Sequence, residues 1–144
     1  MGLPDRITKA ATPLLEAGEV VEVATVAAVG QVSVKRQVAT AAVTALLTLG
    51  TVTTVTYAKK RPIALTNRRL IFLDANELTG RPQSKLVGAL SRDGLRAQRQ
   101  RALLWRKYDL IDNTGAPVVR LSFPLPNRKA GDQIATALGL LGTS

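Results

Sequence analysis

The chain has 144 residues, a formal net charge of +10 and 46% hydrophobic content, enough length for one proper core and too apolar for a disordered chain. It contains no Cys and no His, which excludes disulfides and thiolate zinc sites and removes the most frequent general base and metal ligand. The charge is uneven: residues 38–58 carry none, and residues 59–144 hold 16 basic against 6 acidic side chains, a field that favours anionic partners.

In chain order, Leu3, Ile7, Ala10, Ala11, Leu14 and Leu15 keep to one face of a helix over 3–17 that Pro13 interrupts. The segment lacks the Trp or Phe and the basic face of an interfacial helix, so docking on a core is expected. The N-terminus shows no signal-peptide pattern. Gly18-Glu19 ends this segment, and Val20 to Val29, rich in β-branched residues, reads as a strand.

Residues 38–58 form a 21-residue uncharged run, preceded by Lys35 and Arg36 and followed by Lys59, Lys60 and Arg61. Its length suffices to cross a bilayer, but seven Thr, five Ala and a Gly dilute it. Two readings follow. One is a membrane-inserted segment. The other is a helix over about 36–49, ended by Gly50, and a strand over 51–57.

Arg61 to Asp74 is the central hairpin. Two apolar runs, Ile63–Leu65 and Leu70–Leu73, flank the polar hinge Thr66-Asn67-Arg68-Arg69, where Asn suits a turn. Lys85 to Leu90 and Leu95 to Gln98 read as strands around the turn at Asp93-Gly94. Leu103 to Ile111 and Pro117 to Phe123 form a second hairpin around Asp112-Asn113-Thr114-Gly115. Pro124 and Pro126 end the sheet. Asn127 is a candidate N-cap for a closing helix at about 127–141, whose apolar face is Ile134, Ala137, Leu138 and Leu141. No repeat or low-complexity linker suggests a domain boundary.

Several strands closed by one helix, with Leu65-Thr66-Asn67-Arg68-Arg69-Leu70 in the middle, resembles the bacterial pleckstrin-homology-like and GRAM-type domains. The resemblance implies a mainly β (α+β) fold. That fold is a bent, partly open β-barrel closed by a C-terminal helix, here one domain over 1–144 with an extra N-terminal helix and an apolar insertion at 38–58. It implies a non-enzymatic interaction module that binds anionic lipid, protein or copies of itself as a homo-oligomer. Residues 65–70 are then structural. The place expected is the cytoplasm, at the membrane surface.

No phosphate-binding glycine loop is present. The carboxylate pairs Asp74/Glu77 and Asp109/Asp112 sit near turns and read as turn chemistry, and Ser84, Ser91 and Ser122 have no His to activate them. No catalytic residue, metal or cofactor is expected. The candidate anionic-surface residues are Lys59, Lys60 and Arg61 beside the apolar run, and Arg92, Arg96, Arg99, Arg101, Arg106 and Lys107 further on. Trp105 and Tyr108 are interleaved with the last of these and are read chiefly as core residues. Two other readings stay open: a small integral membrane protein with one apolar segment, and a nucleic-acid binder through the basic face at 92–107.

Overall fold

The computed structural model describes residues 2–30, 59–76, 78–102, 104–115 and 117–141. The expected helix over 36–49 and strand over 51–57 lie outside the described residues. Helix α1 spans Leu3–Ala11, and a 3-10 turn at Thr12–Leu14 follows it. Seven strands come next: β1 (Val21–Gly30), β2 (Lys59–Thr66), β3 (Arg69–Ala75), β4 (Pro82–Ser91), β5 (Arg96–Gln100), β6 (Arg106–Ile111) and β7 (Pro117–Phe123). Helix α2 (Arg128–Leu138) closes the chain after a 3-10 turn at Leu125–Asn127. The fold is mainly β, one antiparallel sheet with a helix from each end of the sequence.

The strand order is β4-β3-β2-β1-β7-β6-β5. Hairpins β2–β3 and β6–β7 form where the turn residues place them. Gly115 adopts φ 85°, which a side chain would strain, and its N–H donates to the Asp112 carbonyl at 3.0 Å. The Asp112 carboxylate accepts the Thr114 N–H at 2.9 Å, which is the turn role expected of it. Gly94 also takes a positive φ of 77°. That turn does not join partners, because β4 and β5 occupy opposite ends of the strand order.

Alternation divides the sheet residues between two cores. One face carries Ala27, Val29, Ile63, Leu65, Leu70, Phe72, Leu110, Leu121 and Phe123, and Ile134, Ala135 and Leu138 of α2 pack into this cluster. Every strand contributes to it. Laid flat, seven strands would measure about 29 Å across, so Val87 and Leu90 of one edge and Ala97 of the other share one cluster with α2 only because the sheet curls. The convex face of the first half carries Ala24, Ala64, Ile71 and Leu73, which Ile7, Ala10 and Ala11 of α1 cover. The N-terminal helix is therefore docked, and Pro13 falls in the 3-10 turn that ends it.

Two details of α2 correct the sequence reading. Its buried face is Gly131, Ile134, Ala135 and Leu138, while Ala137 is exposed. Asn127 stands at the N-cap position, but its side chain makes no cap hydrogen bond. The amide instead donates to the Val26 carbonyl at 2.9 Å, tying the helix start to β1. At the other end the chain continues along β5: Ala97 N–H donates to the Gly139 carbonyl at 3.0 Å, and Leu141 N–H to the Ala97 carbonyl at 2.8 Å. That contact covers part of an edge strand whose backbone groups would otherwise be unpaired.

Candidate anion-binding cleft

The Leu65–Leu70 segment is a clamp. Asn67 at the β2–β3 turn accepts the Val20 N–H at 3.0 Å and donates its amide to the Gly18 carbonyl at 3.1 Å. The Thr66 hydroxyl donates to Glu19 Oε2 at 2.6 Å and accepts the Arg69 N–H at 3.0 Å. Arg69 holds the Glu19 carboxylate with both prongs of its guanidinium, Nε–Oε2 at 2.9 Å and Nη2–Oε1 at 3.1 Å. Arg69 Nη2 also donates to the Leu14 carbonyl. The side chain of Glu19 is fully buried. Chiefly the Arg69 hydrogen bonds, helped by the Thr66 hydroxyl and the Glu16 N–H, hold its carboxyl at a pKa of about 2 against the opposing effect of burial. These residues fasten α1's exit to the central hairpin. Leu65 and Leu70 are core, and Arg68 is half exposed beside Glu16 at 3.7 Å.

The nine candidate cations do not form one surface. Arg61 is 3% exposed, faces Asp74 at 3.7 Å, and has its pKa lowered by burial. Arg92 donates to Glu22 at 2.8 Å, to the Thr66 carbonyl at 2.9 Å and to the Ala137 carbonyl at 3.1 Å. Arg96 donates to the Leu138 carbonyl at 3.3 Å. These two arginines satisfy carbonyls at the C-terminal end of α2, where a cation also suits the helix dipole. Arg106 lies 3.4 Å from Asp132, whose carboxylate also accepts the Tyr108 hydroxyl at 2.6 Å. Tyr108 is core, 3% exposed, and packs edge-on against Phe123. Arg99 and Arg101 are exposed, and neither makes an ion pair among the described residues. Lys59 begins β2.

Lys60 and Lys107 converge on one place. The register places Lys60 opposite Ala28, Ala28 opposite Ser122, and Ser122 opposite Lys107. This row crosses β2, β1, β7 and β6 on the convex face, beyond the part that α1 covers. Its middle residues are small, so the row is a trough with an amine at each side. The connection between β5 and β6 folds back over it. Trp105 in that connection brings its ring within 5.8 Å of the Lys60 ammonium, a cation–π contact. The result is a cleft of about 480 Å³ lined by Ala28, Lys60, Ala102, Leu104, Trp105, Lys107 and Ser122. Its walls are mostly apolar and no carboxylate lines it. Trp105 is 36% exposed and Leu104 is 66% exposed, so the indole serves this surface and not the core.

Sequence reading identified both lysines, but it read Trp105 chiefly as core, which its exposure on the cleft corrects, and it did not assign Ala28 or Ser122 to a surface. Of the carboxylates it set aside, Glu77 lies outside the described residues, and Asp109 sits within β6 and not in a turn. Asp109 takes both prongs of Arg120 at 2.6 and 3.1 Å across β6–β7, and Asp74 accepts the Ala75 N–H at 2.9 Å. Among the described residues no cluster of three or more acidic side chains is placed to hold a metal, and no helix is long and apolar enough to cross a membrane. No family model, curated protein or solved structure matches the chain, and nothing in these comparisons points to an enzyme family.

Proposed function

We propose that the chain is a non-enzymatic interaction module that docks on anionic lipid at a membrane surface through its convex face. The observation that carries this reading is the row Lys60–Ala28–Ser122–Lys107 beneath Trp105. Two cations that make no ion pair among the described residues flank an exposed indole, the side chain that sits at headgroup level in membrane interfaces. Position adds support. Strand β1 ends at Gly30 and β2 begins at Lys59, both beside this row, so the uncharged run 38–58 is rooted there.

A pleckstrin-like architecture is part of the proposal. It is supported by the curled antiparallel sheet, by a C-terminal helix against its concave face, and by the Thr66–Arg69 clamp at the β2–β3 turn. The reading as a single-span membrane protein is disfavoured by pairing. Val23 to Val29 lie opposite Leu65 to Lys59 in one sheet, so both flanks of the run stay on one side of any bilayer. The nucleic-acid reading loses its densest feature, because Arg92, Arg96 and Arg106 are engaged in internal bonds. Self-association remains in the proposal through β4, which pairs only with β3 among the described strands.

Co-sedimentation with vesicles tests the proposal. The wild-type protein is expected to pellet with phosphatidylcholine vesicles containing anionic lipid and to stay in solution with phosphatidylcholine alone. Reversing Lys60 and Lys107 to Glu removes two cations and adds two acids near the surface, a change of about 4 kcal/mol. Binding should be lost while the melting temperature is kept. Equal binding by wild type and the double variant would defeat the reading.

A further inference from the structure

We infer that the Lys60–Lys107–Trp105 cleft is a site for one molecule of a phosphate monoester carried on an apolar body. The inference deepens the reading just given and rests on it for the choice of face. It adds a bounded ligand to what would otherwise be general attraction to charge.

The cleft volume of about 480 Å³ falls in the range of small-molecule sites. Its polar groups are all suited to one kind of partner. Lys60 and Lys107 supply ammonium groups on flexible stems, compact point charges whose N–H groups can each reach a phosphate oxygen. Between them lies Ser122, 6% exposed, whose hydroxyl has no hydrogen-bond partner among the described residues. That hydroxyl belongs to the lining of the cleft and can donate a hydrogen bond to an acceptor oxygen placed there. Two cations and a hydroxyl with no acid among the lining residues match a dianion with three terminal oxygens, which a monoester has and a diester lacks. The remaining lining residues, Ala28, Ala102, Leu104 and Trp105, offer only apolar surface apart from the indole N–H. The rest of the ligand is therefore apolar. Its source is either a lipid in a bilayer or a soluble single-chain phosphate, and the two share this recognition chemistry.

Trp105 is the only tryptophan in the chain, so its fluorescence reads this cleft directly. The probe is octyl phosphate, used below the concentration at which it forms micelles, with octanol as the uncharged control. Octyl phosphate is expected to shift Trp105 emission saturably and octanol to leave it unchanged. Ser122→Ala should weaken octyl phosphate binding about tenfold, the scale of one hydrogen bond to a charged group. Lys107→Gln should abolish it, and both variants should keep the wild-type melting temperature. A parallel arm compares vesicles carrying a monoester lipid with vesicles carrying a diester lipid at matched surface charge, and tighter binding to the monoester is expected.

The outcomes separate the two claims. No saturable shift with octyl phosphate, together with equal binding to both vesicle types, overturns the cleft assignment and leaves the membrane reading standing. A saturable shift with octyl phosphate and no vesicle binding keeps the cleft, makes its ligand a soluble phosphate, and ends the membrane reading. An undiminished shift in Ser122→Ala and Lys107→Gln overturns the assignment of the oxyanion to these residues.

Discussion

Replacing Glu19 by Gln is expected to lower stability by about 3 kcal/mol near neutral pH, since one pKa unit corresponds to about 1.4 kcal/mol. The reason is the clamp. Glu19 is buried, grips Arg69 with two hydrogen bonds, and has its carboxyl lowered from 4.5 to about 2. A carboxyl depressed on folding contributes stability that is fully present above the unfolded value. That contribution declines as pH falls below 4.5 and is gone once pH has passed below about 2. Urea denaturation at a series of pH values should therefore show wild-type stability falling through this window. The Gln variant should start lower and fall less steeply. Parallel acid limbs for the two proteins would mean that Glu19 is not the group responsible. The variant also leaves the partly buried Arg69 with only the more distant Glu16 carboxylate, 4.0 Å away, as a counter-charge, which acts in the same direction.

Gly131→Leu should be comparably damaging, at about 3 kcal/mol, near the upper end of the range for overpacking a core. Gly131 is the point where α2 lies closest to β7. A Cβ added there would sit 2.5 Å from the ring of Phe123, itself fully buried. The ring cannot swing away without disturbing Tyr108, which packs against its edge and is tied through its hydroxyl to Asp132 on α2. Gly131→Ala should cost less, because it adds only the Cβ and not the further three carbons of leucine, while recovering about 1 kcal/mol of helix propensity. A denaturation midpoint unchanged in the Leu variant would show that α2 is not seated on Phe123.

The parts of the fold that depend on short stretches were legible in the sequence. Asn67 and the Asp112–Gly115 turn marked both tight hairpins, and the spacing of Ile134 and Leu138 marked α2. What could not be read depends on residues far apart in the chain. Asp93-Gly94 signals a turn, but a turn residue cannot say whether the strands beside it pair, and β4 and β5 do not. Arg92 looked like a surface cation because its partners, Glu22 and the Ala137 carbonyl, lie 70 and 45 residues away. Gly131 and Ala135 looked unremarkable on a helix whose larger residues carried the pattern, although close packing needs small residues there. The cleft is the extreme case. Its residues come from β2, β1, β7, β6 and the β5–β6 connection, and only the sheet register brings them into one row. The clamp lay between these extremes: Leu65–Leu70 stood out as a unit, while Glu19, its buried counter-charge, passed as the end of a segment.

Val29 and Lys59 face each other across two hydrogen-bonded strands, with 28 residues between Gly30 and Lys59. For the sheet, the two ends of that stretch are already held together by the pairing of β1 with β2. Closing a long tether costs only slightly more than closing a short one, so replacing the stretch with four turn-forming residues should change stability through closure entropy by about 2 kcal/mol at most. Thermal melting of such a shortened protein measures this directly. In this sense the sheet is a frame whose register is set by the pairing of β1 with β2, so a chain could exchange, lengthen or shorten residues 31–58 while the frame keeps its register.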